Sequence, residues 1–444
     1  MIIFTLILAL GLRLMSLNQS LWLDEATSAL TTKMNLADFF GKFMPGDFHP
    51  PLYYLTLRVW AAFFGTSELA FRSLSVLFGI ATIYLVYKLG GKIAALLLAT
   101  SGLHIYYSQE TRMYSMSTFL VTLAMFSFVK ILNKKARGLW WGIFALVLGL
   151  IGLTDYLPLL ILIPIWVFVI ISKKDKKWLT KFVVSHIILL IFALLWGPTF
   201  FKQLTAGVNV TTTSPSWVNV LGKFSIKDVL LIPVKFVIGR VGFDNKYLYS
   251  IIVGISLLLY GFIAVKSRKL LFWLWLLIPV GLALVISIKL PVLNYFRFLF
   301  VLPAFYLIIA SGVNTLSKKT QNLFLVLIIG INLLTSLIYL TNQKFQRENW
   351  RGAVNFIQSN QTQNSVVIFP ADSQMEVYRY YAPKAQIYGP GAIGKGYSVI
   401  WLIRYAQPIS DPEDTTRAKI EDLNYKKLNE FDFNGVVVWK YQKI

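Results

Sequence analysis

Cysteine is absent from the 444 residues. That excludes a disulfide framework and any thiolate metal site, and it leaves the redox compartment open. Charge is scarce: 14% of residues are charged, against about 25% in soluble globular chains. Hydrophobic residues make up 56%. Together these values exclude a soluble enzyme and a disordered chain, and they point to a polytopic membrane protein. Acids are the scarcer charge, with 20 Asp and Glu against 43 Lys and Arg. A basic excess first suggests nucleic acid. Here the bases stand in short clusters between apolar runs, so no nucleic-acid partner is expected and the clusters are topological marks. The hydrolase signatures G-x-S-x-G and H-E-x-x-H are also missing. Gly389-Pro390-Gly391 and Gly394-Lys395-Gly396 lack Walker spacing and read as turns.

A membrane helix needs about 20 mainly apolar residues. About eleven runs qualify: 1–16, 69–88, 93–109, 113–131, 139–154, 156–172, 178–199, 247–265, 270–288, 297–316 and 321–341. The first run has neither a basic n-region nor a small-residue cleavage site, so it is expected to remain as a helix. Basic clusters lie at Lys88/Lys92, Lys134-Lys135-Ala136-Arg137, Lys173 to Lys177, Lys266 to Lys269 and Lys318-Lys319. Each sits where an even-numbered helix ends. This places the N-terminus inside a cytoplasmic membrane and the C-terminus outside.

The expected fold is thus a polytopic α-helical membrane domain over 1–341 with outer loops at 17–68 and 200–246. A small extracytoplasmic α/β domain follows over 342–444. Leu36, Phe39, Phe40 and Phe43 fall at helical spacing, as in a helix lying among lipid headgroups. A second amphipathic stretch, Leu52 to Phe64, follows His49-Pro50-Pro51. The tail reads as helix 350–358, strand 365–369, helix 373–382, strand 386–388, strand 397–403, helix 415–429 and strand 435–440. That alternation suggests a mostly parallel sheet.

Charges near membrane depth point to function, and the candidates gather on the outer side. Asp24-Glu25 can split in pKa and supply a general base, or can act only as a helix cap and first-turn acid. His49 opens a helix, where it can orient a phosphate, bind a metal or be an exposed loop residue. Glu110 and Arg112 share a short turn. Arg112 suits phosphate recognition, and the plain alternative is a local ion pair. Asp155 either serves the site or caps a helix. Arg297 either holds a lipid phosphate or snorkels to the interface. His104 and His186 read as structural. A divalent metal held by Glu110, Asp155 and His49 is allowed by their chemistry.

In order, the chain contains Leu21-Trp22-Leu23-Asp24-Glu25, His49-Pro50-Pro51-Leu52-Tyr53-Tyr54 and Tyr106-Tyr107-Ser108-Gln109-Glu110-Thr111-Arg112-Met113-Tyr114. Tyr295-Phe296-Arg297-Phe298 and Glu348-Asn349-Trp350-Arg351 follow. This series resembles the bacterial branch of the dolichyl-phosphate-mannose protein mannosyltransferases, GT-C glycosyltransferases related to the aminoarabinose transferase of lipid A. The resemblance implies inverting transfer of a sugar from a polyprenyl-phosphate donor on the outer membrane face. The acceptor would be a protein, lipid or polysaccharide. It implies that Asp24 is the catalytic aspartate, that Glu25 and Glu110 are its acidic companions, and that Arg112 and Arg297 meet the donor phosphate, with His49 beside them. Tyr53 and Tyr114 lie within the same motifs and are expected at the substrate. Members often carry histidine where Asp155 stands, so the resemblance transfers no role to that turn and Asp155 is a substrate-side candidate by position alone. The rival readings are a ligase of surface polysaccharide and a flippase for a lipid-linked glycan. The paired halves of transporters are not evident in the sequence.

Overall fold

A computed structural model describes residues 2–133, 137–213, 222, 224–393 and 396–444. The basic residues Lys134-Lys135, Lys223 and the turn residues Gly394-Lys395 lie outside the described residues. Helix α1 spans Ile2–Leu14 and α2 Leu23–Thr31. A short helical segment then runs from Leu36 to Gly46, with Phe39 buried and Leu36 and Phe40 exposed. Helix α3 (Leu52–Phe64) leads to α4 (Glu68–Thr100). Gly91, with φ of 78°, breaks α4 into the two arms expected from the runs at 69–88 and 93–109. Only glycine adopts that conformation readily.

The chain continues through α5 (Gly102–Ser108), α6 (Tyr114–Ile131), α7 (Gly138–Thr154), α8 (Leu162–Ile171), α9 (Lys176–Val184) and α10 (Ile187–Thr213). Helix α10 extends well beyond the apolar run that ends near 199. Residues 200–213 mix Lys202, Gln203, Asn209 and threonines with apolar residues, so hydropathy alone places them in a loop. Helices α11 (Ile226–Ile238), α12 (Lys246–Ala264), α13 (Leu270–Ile286), α14 (Leu302–Val313) and α15 (Lys318–Thr341) complete the bundle. Among the described residues six helices are long and apolar enough to cross a membrane, and shorter apolar helices accompany them. The protein is a multi-pass membrane protein. Helices α6 and α14 are mostly enclosed, whereas α10, α12 and α15 expose apolar faces such as Leu194, Leu195, Leu258 and Val326, as lipid-facing helices do.

After α15 come α16 (Trp350–Asn360), β1 (Ser365–Ile368), α17 (Met375–Tyr381), β2 (Ile387–Tyr388), β3 (Val399–Ile403), α18 (Thr415–Asp422), β4 (Tyr425–Phe433) and β5 (Val436–Lys443). The sheet order is β2-β1-β3-β5-β4. β1 pairs in parallel with β2 and β3, while β3-β5 and β5-β4 are antiparallel. The expected helix over 415–429 therefore stops at Asp422, and its second half is a strand. Asn434 and Gly435 both have positive φ (52° and 96°). They form the Asn-Gly turn that favours a tight hairpin, and the hairpin gives the sheet its antiparallel half.

The tail docks on the membrane part through polar contacts. Leu21 N–H donates to the Tyr381 hydroxyl at 2.7 Å, and the Tyr380 hydroxyl donates to Thr66 O at 2.9 Å. Arg351 reaches Asn18 O at 2.8 Å and Glu68 at 3.5 Å, and Thr27 donates to Glu376.

Candidate active site

Helix α2 starts immediately after Trp22, and its first turn carries both Asp24 and Glu25. Acids suit that position because the helix N-terminus is electropositive. The helix turns the two side chains into different surroundings. Glu25 is fully buried. Arg72 grips it twice, Nε to Oε1 at 2.9 Å and Nη2 to Oε2 at 2.5 Å. Arg347 lies 3.4 Å away, Thr111 N–H donates at 2.8 Å, and Trp22 N–H donates at 3.3 Å. Burial opposes ionisation of Glu25. The charges of Arg347 and Arg72, with the hydrogen bonds from Arg72 and Thr111, outweigh it and hold the carboxyl below its ordinary range. Both oxygens are occupied by these donors.

Asp24 remains accessible, its side chain 42% exposed, and Arg112 Nη2 lies 3.8 Å from it. Arg112 also reaches the Tyr54 hydroxyl at 3.3 Å and Ser28 Oγ at 3.4 Å. Tyr54 in turn donates to Asp47 at 2.6 Å. Asp24, Arg112, Tyr54 and Asp47 thus form one polar chain across α2, the 109–113 turn and α3.

Glu110 lies behind this chain, 1% exposed. Its Oε1 accepts from Trp22 Nε1 at 3.0 Å and faces Arg347 Nη1 at 3.9 Å, while its buried Oε2 has no hydrogen-bond partner. Desolvation, aided by Glu25, pushes its carboxyl up to about 7 against the opposing pull of Arg347, Arg240 and Arg112. Tyr53 is buried beside Tyr54, with ring centroids 6.1 Å apart, and presents no surface. Tyr114 packs between Tyr107 and Phe296, each 5.4 Å from it.

The remaining candidates gather in an adjoining cavity of about 360 Å³, lined by His49, Asp155, Tyr156, Gln203, Arg297 and mainly apolar side chains such as Leu160 and Val292. His49 Nδ1 lies 3.8 Å from Asp155 Oδ1. The extended α10 brings in Gln203, whose amide donates to Met44 O at 2.8 Å and His49 O at 3.1 Å. Arg297 donates one bond to Pro291 O at 3.2 Å, its one side-chain hydrogen bond among the described residues.

The expected metal set of Glu110, Asp155 and His49 does not form. Glu110 is engaged by Trp22 and Arg347, apart from the His49–Asp155 pair. Among the described residues no three His, Asp or Glu side chains gather as metal ligands.

Several residues of this cluster escaped sequence reasoning. Arg72 is a charge inside an apolar run, a signal by itself. Arg240 was one basic residue of a loop. It is exposed within a recess, its guanidinium 4.3 Å from the Tyr106 ring, with no ion pair among the described residues. Asp47 and Arg347 carried no local signal, since their partners lie far along the chain.

Residues 48–198 match the model of the dolichyl-phosphate-mannose-protein mannosyltransferase family. Among curated proteins no sequence relative was found. Solved structures show the same fold over nearly the whole chain. ArnT from Cupriavidus metallidurans bound to undecaprenyl phosphate is 13% identical, covering 98% of this chain and 97% of its own, with TM-score 0.59. The Archaeoglobus fulgidus oligosaccharyltransferase, complexed with Zn and sulfate, is 12% identical, covering 99% of this chain and 72% of its own, with TM-score 0.57. The archaeal oligosaccharyltransferase AglB from Archaeoglobus fulgidus, in complex with an inhibitory peptide and a dolichol-phosphate, is 12% identical, covering 99% of this chain and 73% of its own, with TM-score 0.54.

Proposed function

We propose that this chain, which has the fold of the GT-C glycosyltransferases, moves a sugar from a polyprenyl-phosphate donor to an acceptor hydroxyl or similar group, with inversion. The observation that carries the reading is the split of the Asp24-Glu25 pair. One carboxylate is locked by two arginines, and its neighbour is accessible beside a third. Asp24 is the base. The acceptor oxygen attacks the anomeric carbon and forms the new C–O bond as its proton passes to Asp24. The bond from that carbon to the phosphate oxygen breaks on the opposite face, and polyprenyl phosphate leaves with the bonding pair. Charge grows on the leaving phosphate, so fixed cations there lower the barrier. Among the described residues Arg240 and Arg297 keep guanidinium donors for that task, and Arg112 holds Asp24 in line.

The apolar cavity beside Arg297 and His49 suits the first units of a lipid tail, which needs burial while its phosphate stays at the polar rim. Similarity to structures holding undecaprenyl phosphate or dolichol-phosphate supports a lipid-phosphate donor. The basic clusters support a site facing away from the cytoplasm. Residues 1–341 supply the catalytic membrane part in this reading, and 342–444 the domain that covers it.

The test uses the purified chain in lipid nanodiscs with polyprenyl-phosphate sugars and candidate acceptors. The expected result is release of polyprenyl phosphate and a product of inverted anomeric configuration. Intact donor that is only moved between leaflets in vesicles contradicts the reading and favours a flippase.

A further inference from the structure

The tail sends one side chain into the interior of the membrane part's acidic cluster. Arg347 lies in the linker between α15 and α16, yet its side chain is 1% exposed. Its Nε is 3.4 Å from Glu25 and its Nη1 is 3.9 Å from Glu110. It donates to the Tyr106 hydroxyl at 2.7 Å and to Gln109 O at 3.2 Å, and its guanidinium lies 4.4 Å from the Tyr106 ring. Its backbone is fixed from both sides. Arg347 N–H donates to Gln19 at 2.9 Å, and Arg347 O accepts from Asn434 at 2.9 Å. Asn434 belongs to the β4-β5 hairpin turn, so the tail's fold determines where this guanidinium sits.

We infer that Arg347 is a positioning residue that draws the Glu110 carboxyl toward its charged form and fixes its place, so that the site is complete only with the tail docked. The inference rests on the proposed glycosyl transfer for its catalytic consequence, though not for its electrostatics. Arg72 spends its donors on Glu25 and three backbone carbonyls, and among the described residues Arg347 is the cation within 4 Å of Glu110. Glu110 receives the indole N–H of Trp22, and Trp22 immediately precedes the first turn of α2, which carries Asp24. A change at Arg347 therefore reaches Asp24 through two contacts. The other groups facing Glu110 are Glu25 from α2, Arg240 after α11, Arg112 on its own turn, and the hydroxyls of Tyr53, Tyr106, Tyr107 and Tyr114. Glu25 disfavours the charged form of Glu110 and the two arginines favour it. An opposite charge at this distance moves a carboxyl by about one to three pH units.

The experiment uses the full chain in nanodiscs and follows the infrared band of the protonated carboxyl that Glu110→Gln removes. In wild type the band is expected to titrate near pH 7. In Arg347→Met its midpoint rises by about one pH unit or more. In Arg347→Lys, which keeps the charge but centres it on one atom, the rise is about half as large. With a lipid-phosphate sugar as donor, Arg347→Met lowers kcat at least about tenfold and leaves donor KM within about threefold. The acid limb of its pH-rate profile moves with the band. A midpoint unmoved in Arg347→Met overturns the inference, whatever the activity. If that variant does not fold, an unmoved midpoint in Arg347→Lys overturns it. A midpoint that moves in a chain without any transfer refutes the proposed function and leaves the coupling standing.

Discussion

Removing Arg72 without changing its charge isolates what its geometry contributes. Its five N–H donors are all used: two meet Glu25, and the others meet Leu17 O, Gln19 O and Ser20 O. One side chain thus staples α4 to the loop between α1 and α2 and to the acid that starts α2. A lysine at this position has three donors on one atom, so Arg72→Lys leaves at least two buried acceptors unpaired. At roughly 1.5–3 kcal/mol for each charged hydrogen bond, the variant loses about 3–6 kcal/mol. Glu25→Met strands Arg72 in the same setting, at about 3–5 kcal/mol. The double variant Arg72→Met/Glu25→Met removes both charges together, and its loss is smaller than the sum of the single losses by about 1–3 kcal/mol. The assay is thermal unfolding in detergent at one scan rate, because unfolding of such a chain is under kinetic control. An Arg72→Lys protein that unfolds within a degree of wild type, or strictly additive single and double variants, refutes this account of the cluster.

The raised carboxyl of Glu110 makes a pH prediction of definite sign. Between about 4.5 and 7 the folded chain holds a proton there that the unfolded chain has lost, so this group's contribution to stability falls as pH rises through that window. Wild type should lose about 3 kcal/mol relative to Glu110→Gln between pH 4.5 and 7.5, read from paired melts. Arg240→Ala and Arg297→Ala should each raise donor KM about tenfold, since each removes a charge-assisted contact to phosphate. Titration of donor binding against salt checks this. Gly312→Ala should destabilise the α12–α14 contact by about 1–3 kcal/mol, because the added carbon would stand 2.0 Å from Ile263 O. Gly330→Ala, which meets nothing within 4 Å, should leave the melting temperature unchanged or slightly raised.

Much of the fold was legible because a bilayer imposes long apolar runs that composition reveals directly. The runs at 69–88 and 93–109 are parted by the break at Gly91, and the second is interrupted again at Ser101. The limit was periodicity at mixed surfaces. Residues 200–213 mix lysine, glutamine, asparagine and threonine with apolar residues, and Tyr425 to Phe433 alternate as a half-exposed edge strand, so neither announced its structure. At the site, Asp24, Glu110 and Arg112 were visible as charges where apolar runs end. Glu25 was visible too, but its role as a buried anchor depends on Arg72 and Arg347, whose pairing requires three distant segments to meet. Arg240 looked like any loop base, because only the fold sets it over Tyr106 in a recess.

The most direct measurement is single-turnover sugar transfer by Asp24→Asn at saturating lipid-linked donor. An amide cannot take the acceptor's proton, so kcat should fall by at least about 100-fold, with unchanged donor affinity and an unfolding temperature within a degree or two of wild type. Transfer at the wild-type rate by a well-folded Asp24→Asn chain would contradict the account.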